Sequence, residues 1–168
     1  NGYIECADDV VVTWAIGHLL STLQPHEYDE RFKRWEWDTL PIVPEKFRFK
    51  PDDKRGDQYR NVEKLLKRAS EVVVATDPDR EGEMIAWEVL TYCRWKGPVR
   101  RLWLSDLTEA EIRKSLAQLR AGGETKPMYL AALARTYGDW LVGMNMTRAA
   151  TLKMRAENAR GALSIGPV

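Results

Sequence analysis

The chain has 168 residues, enough for one ordinary domain or slightly more, and 44% of them are apolar, enough for a real core. A formal net charge of +1 excludes a strongly cationic nucleic-acid binder, so any DNA contact has to be local. Cys6 and Cys93 show neither disulfide nor metal spacing and fit a reducing cytosol; no apolar run reaches membrane-spanning length, and none follows a charged leader region.

In chain order, Tyr3 to Cys6 and Asp9 to Ile16 read as two strands joined by a tight turn at Ala7-Asp8-Asp9. The second strand runs into Gly17-His18-Leu19-Leu20. His18 is read as a structural residue at a strand-to-helix junction. The alternative is a contact to DNA phosphate or a proton-handling role, since imidazole titrates near neutrality. Residues 24 to 56 are broken by Pro25, Pro41, Pro44 and Pro51, with Trp35, Trp37, Phe47 and Phe49 interleaved among Arg and Lys. Such interleaving can stack bases and grip a phosphate backbone. Aromatics at alternate positions also anchor half-buried strands, and that is the preferred reading. Asp52 to Ala69 is predicted helical, with Val62, Leu65, Leu66 and Ala69 on one face.

Val72-Val73-Val74 is a β-branched run expected to be buried on both faces. A helix is expected from Arg80, carrying Met84, Trp87, Val89 and Leu90. Between them lies TDPDREGE, which places Asp77, Asp79, Glu81 and Glu83 at the exit of a strand, where open α/β sheets bind ligands. Crowded carboxylates repel one another unless a cation neutralises them, and hard oxygen donors suit Mg²⁺ best. Asp77, Asp79, Glu81, Gly82 and Glu88 also fit the spacing of an EF-hand calcium loop. That motif needs an entering helix, and here a valine run enters.

Gly97-Pro98 is a turn, Val99 to Leu104 a strand, and Thr108 to Glu111 a capping box opening a helix lined by Ile112, Leu116 and Leu119. Gly122-Gly123 is the best domain boundary, separating residues 1–123 from 124–168. The last segment reads as a long helix, with Thr125 placed to cap it. Lys126, Arg135, Arg148, Lys153, Arg155 and Arg160 face only Asp139 and Glu157 there, a local basic excess that the total charge conceals.

TDPDREGE followed by Ile85-Ala86-Trp87 resembles the metal-binding signature of type IA DNA topoisomerases, in their Toprim domain. NGYIEC, VVTWAIGHLL, LPIVPEKFRF and ALARTYGDWLVGMNMTRAATL resemble the bacterial topoisomerase III branch of that family. The resemblance implies an α/β, Rossmann-like parallel-sheet domain followed by the first helices of a DNA-binding domain. It also implies that the family's first strand, which carries a further catalytic carboxylate, is missing here, and Pro167 stands where the family continues with Arg. The activity implied is relaxation or decatenation of DNA through a transient single-strand break and Mg²⁺-dependent rejoining, with the nucleophilic tyrosine in a later domain. Asp77, Asp79 and Glu81 would hold Mg²⁺, and Arg80 would contact phosphate or organise the carboxylates. Arg135, Asp139, Arg148 and His18 would meet single-stranded DNA, in a bacterial cytoplasmic setting. A Toprim primase or nuclease would share Asp77 and Asp79 but not the GDWLVGMNMTRA helix. The same residues could also belong to a non-catalytic nucleic-acid-binding piece or to a calcium-binding module.

Overall fold

The computed structural model describes residues 2–156 and 161–166; Glu157, Arg160 and Pro167, which enter the sequence reading, lie outside these. The elements in order are β1 (Tyr3–Glu5), β2 (Val11–Thr13), β3 (Leu20–Thr22), α1 (Pro25–Tyr28), β4 (Phe49–Pro51), α2 (Gly56–Leu66) and β5 (Val72–Val74). They continue with α3 (Arg80–Tyr92), β6 (Val99–Arg101), α4 (Glu109–Ala117), β7 (Arg120–Ala121) and α5 (Lys126–Ala156). Short 3-10 turns occupy Glu30–Lys33, Trp37–Thr39 and Gly122–Glu124. The chain folds as two compact units, one of residues 1–21 and 49–132, the other of 22–48 and 133–168.

In the first unit β1 and β2 pair antiparallel through the expected turn, with Asp8 and Asp9 at φ 56 and 58. Positive φ at both central residues suits tight hairpin turns, and Asp tolerates it better than most side chains. β5 and β6 pair in parallel, as a strand, crossover helix and strand require, and β7 adds an antiparallel edge. The parallel sheet expected from the sequence is therefore mixed at that edge. The core gathers Leu19, Leu20, Tyr59 and Val89, with Phe49, Val62, Leu66 and Cys93 packed against it. Burial pushes the Tyr59 phenol well above its ordinary range, its oxygen 3.7 Å from Cys93 Sγ.

Several boundaries differ from the sequence reading. α2 starts at Gly56 rather than Asp52, because the Asp52 carboxylate accepts from Lys54 N (3.0 Å) and closes a local turn instead. Val73 is 42% exposed, so β5 buries only the face bearing Val74 among the described residues. Successive strand side chains alternate faces, and the apolar run concealed that. α4 ends at Ala117, leaving Leu119 beyond it and Leu116 52% exposed. The Thr125 hydroxyl does not cap α5; it turns inward to a carboxylate.

The second unit is built on aromatic packing and one amide. Phe47 stacks on Tyr137 at 4.0 Å between ring centroids, and Trp140 meets both Tyr28 and Phe47 edge-on. The anchoring role preferred for these aromatics is the one Phe47 plays. Asn145 in α5 accepts from Ile42 N (2.6 Å) and donates to Ile42 O (2.9 Å) and Leu141 O (2.8 Å). It reproduces a backbone pairing for Ile42, which is 1% exposed. Thr147 and Thr151 pair in the same way with Ile165 and Leu163. Asn145→Ala leaves two buried backbone groups without partners, so a loss of about 1–3 kcal/mol is expected. Denaturant unfolding monitored at the tryptophans checks this; an unchanged midpoint would show that water or a shifted side chain replaces the amide.

Candidate active site

The acidic turn sits between β5 and α3 and is pinned at both ends on Gly82. Asp79 is the N-cap of α3, extended at φ −140, with its Oδ1 accepting from Gly82 N at 2.7 Å. Thr76 Oγ1 donates to Gly82 O at 2.8 Å. A Cβ on Gly82 would lie 2.2 Å from Asp77 O, so only glycine lets the turn fold back this closely. Asp77, Asp79, Arg80 and Glu81 are exposed, and no ion pair among the described residues involves them. Three acidic side chains thus point to solvent beside a helix N-terminus, where the macrodipole favours negative charge.

Glu83 behaves differently from the cluster it was grouped with. It is fully buried, and its Oε1 accepts from Arg101 Nε at 2.6 Å. Its Oε2 accepts from Thr125 Oγ1 (2.8 Å) and Trp87 Nε1 (3.2 Å). Helix α3 already begins at Arg80, so residues 80–88 are helical and no twelve-residue calcium loop forms. The EF-hand alternative is thereby overturned, and Glu88, its last position, is buried elsewhere.

Glu88 Oε1 lies 3.0 Å from His18 Nδ1, which places His18 against the middle of α3. The hydrogen bond to Glu88 holds the His18 imidazolium above its ordinary value against the opposing effect of burial, with Glu88 and Glu81 charges adding. Burial pushes the Glu88 carboxyl up in spite of its imidazole partner. Arg55 Nη1 also donates to His18 O at 3.2 Å. His18 lies between β2 and β3 rather than at the strand-to-helix junction expected, tied to α3 and Arg55 and within electrostatic reach of one of the turn's carboxylates.

No three His, Cys, Asp or Glu side chains converge as a metal cage among the described residues. Asp77, Asp79 and Glu81 are instead an outward-facing set of hard oxygens. That set fits Mg²⁺, which keeps several waters and takes one or two carboxylates together with phosphate oxygens.

In the second unit Arg135 Nε is 3.5 Å from Asp139 Oδ2, an exposed pair one helical turn apart. Arg148, expected to hold phosphate, is only 4% exposed. Its Nη1 donates to Phe32 O (2.8 Å), its guanidinium lies over the Trp35 ring, and burial pulls its pKa down. Arg155 covers the same ring. Among the described residues no helix is long and apolar enough to cross a membrane.

Arg101 is the residue the sequence reading missed. An arginine inside Val99 to Leu104, on a short strand beside the acidic turn, is itself a signal. A buried guanidinium demands a carboxylate, and Glu83 was available.

Comparison with known proteins identifies the family. The Toprim domain family matches residues 3–119. The chain is 44% identical over its full length to DNA topoisomerase 3 of Vibrio cholerae and 39% identical over 96% of its length to that of Bacillus subtilis. It covers 27% and 22% of those proteins, so it spans about a quarter of the curated relatives it matches. The solved structure of full-length topoisomerase I from Thermotoga maritima superposes on 89% of the chain with a TM-score of 0.59 at 24% identity, a likeness of fold, covering 22% of that protein.

The His18–Glu88 pair yields a pH prediction. Both groups bind protons more tightly in the folded state, so their stabilisation is present at acid pH and lost as pH rises. For Glu88 the loss runs upward from the ordinary carboxylate range, and for His18 it runs upward from the ordinary imidazole range. Between about pH 5 and 8, wild-type stability should fall more steeply than that of the His18→Gln, Glu88→Gln double variant. Parallel denaturation curves would contradict the pairing.

Proposed function

The chain belongs to the Toprim domain family, and from that membership we propose that it works in a type IA DNA topoisomerase of the topoisomerase III kind. Such an enzyme relaxes or decatenates DNA by transient single-strand cleavage and Mg²⁺-dependent religation. The observation that carries the proposal is the outward-facing acidic turn at the carboxyl end of β5, in a chain 44% identical throughout to a DNA topoisomerase 3. The division into a Toprim-like part, 1–123, and the start of a DNA-binding domain, 124–168, belongs to the same proposal; the family match ending at residue 119 supports it.

Toprim domains bind divalent metal, and Mg²⁺ is the ion proposed here. Asp77 and Asp79 would hold it, with Glu81 completing the acidic set. When bound, the ion supplies charge neutralisation and orientation for phosphate oxygens. The chain's own residues do the rest. Asp79 spends one carboxylate oxygen on Gly82 and keeps the other for the ligand. Arg80, exposed in the first turn of α3, would hold a phosphate with paired N–H groups. His18, carrying more positive charge than a free imidazole at neutral pH, is proposed as a phosphate contact or proton store beside the turn.

Arg135 and Asp139 are proposed to face single-stranded DNA, since both side chains reach solvent. Arg148 would act on DNA only through the Phe32 to Trp35 segment it supports.

Two measurements test the reading. Mg²⁺ binding followed by calorimetry should be weak and lost in Asp77→Ala, Asp79→Ala; equal heats for both proteins would sink the metal assignment. Single-stranded oligonucleotide binding followed by anisotropy should fall in or below the non-specific range of about 10⁻⁴–10⁻⁶ M and weaken as salt rises. Arg135→Ala should lower it and flatten the salt slope, whereas Lys67→Ala should not. If Arg135 serves only its ion pair, Arg135→Ala will cost a few tenths of a kcal/mol of stability, about the value of an i,i+4 pair, and leave DNA affinity alone.

A further inference from the structure

Arg101 is 1% exposed, and each of its three guanidinium nitrogens has a partner. Nε meets Glu83, Nη1 donates to Val74 O (3.1 Å) and Leu102 O (2.7 Å), and Nη2 donates to Asp77 O (2.8 Å). Val74 ends β5, Leu102 follows β6, and Asp77 carries one of the proposed metal-binding carboxylates. The same cation therefore joins two strand ends to the acidic turn, and through Glu83 joins both to α3. Thr125 and Trp87 complete the far side of Glu83.

We propose that Arg101 is a positioning residue for the metal-binding turn, and that Glu83 keeps this clamp electrically neutral so that it does not repel the metal. The inference rests on the reading of Asp77 and Asp79 as Mg²⁺ ligands. Two features separate it from a general role in stability. The bond goes to the backbone carbonyl of Asp77 itself, so it fixes where that residue's carboxylate starts. The charge sits directly beneath a site meant for a divalent cation. An unpaired guanidinium there would oppose binding, whereas paired with Glu83 it supplies directional hydrogen bonds without net charge. Groups that orient metal ligands from behind typically govern about tenfold to hundredfold of metal affinity.

Arg101→Lys keeps the charge for Glu83 but lacks the planar fork needed to reach Val74 O, Leu102 O and Asp77 O together. The test compares wild type, Arg101→Lys, Glu83→Gln, Val89→Ala and Asp77→Ala, Asp79→Ala, by Mg²⁺ calorimetry and by amide exchange of residues 76–82 without metal. Val89→Ala is a core change on α3 that lowers stability away from the turn. Arg101→Lys is expected to speed exchange in the turn and weaken Mg²⁺ binding about tenfold or more, and Val89→Ala to do neither. Glu83→Gln leaves the Arg101 hydrogen bonds to carbonyls in place but removes the charge that neutralises the guanidinium, and is expected to weaken Mg²⁺ binding; it carries the test if Arg101→Lys does not fold. Folded Arg101→Lys with wild-type Mg²⁺ affinity and wild-type exchange would overturn the proposal, as would unchanged affinity in Glu83→Gln. If the double aspartate variant still binds Mg²⁺ fully, the metal reading fails, and the exchange data alone decide whether Arg101 positions the turn.

Discussion

Beneath the acidic turn a guanidinium and a carboxylate, Arg101 and Glu83, are both excluded from water and bonded to each other. Neither charge could remain there alone. Breaking a buried pair by removing one partner costs about 3–5 kcal/mol, because the other is left uncompensated. The pair therefore acts as a single constraint on the turn's surroundings. It requires β5 and β6 side by side, α3 starting where it does, and Thr125 turned inward at the start of α5. What this arrangement presents to solvent is the proposed ligand set, Asp77, Asp79 and Glu81, with Asp79 held by its capping bond to Gly82. A rigid, neutral support under an exposed anionic turn is what a site for hydrated Mg²⁺ and phosphate needs.

The sequence displayed the turn clearly and its support poorly, for a physical reason. Asp79 as a helix cap, Gly82 as the residue of close approach and Arg80 as the first helical position follow from local rules of capping and backbone sterics. Glu83 lies two residues from Glu81, yet a helix turns about 100° per residue, so the two point to opposite sides. One meets water and the other the interior, and proximity in sequence made them look alike. Arg101 was harder still, because all its partners but the adjacent Leu102 lie 18 to 27 residues earlier in the chain. The valine run misled in the same way: its composition suggested burial on both faces, while the alternation that leaves Val73 exposed is invisible when all three residues are identical.

The second unit shows the same division between local and distant information. The long helix was legible in the sequence, and so was the exposed Arg135–Asp139 pair from its i,i+4 spacing. Asn145 and Arg148 gave no local sign of their work, since Asn145 serves Ile42 and Arg148 serves Phe32, each more than a hundred residues away. A basic excess counted along a helix does not separate a cation facing solvent from one spent on a buried carbonyl. Arg135 and Arg148 are one of each, which is why DNA contact is proposed directly for the first and only indirectly for the second.

The central claim is that the turn at residues 77–81 is a metal site made by position rather than by a closed cage. Paramagnetic Mn²⁺ in place of Mg²⁺, added substoichiometrically to isotopically labelled protein, reports position without requiring catalysis. The account predicts that amide resonances from Thr76 to Gly82 broaden first, that added Mg²⁺ restores them, and that those of the exposed acidic stretch Glu109 to Glu111 persist. Broadening first at Glu109 to Glu111, or equally over all exposed carboxylates, would contradict it.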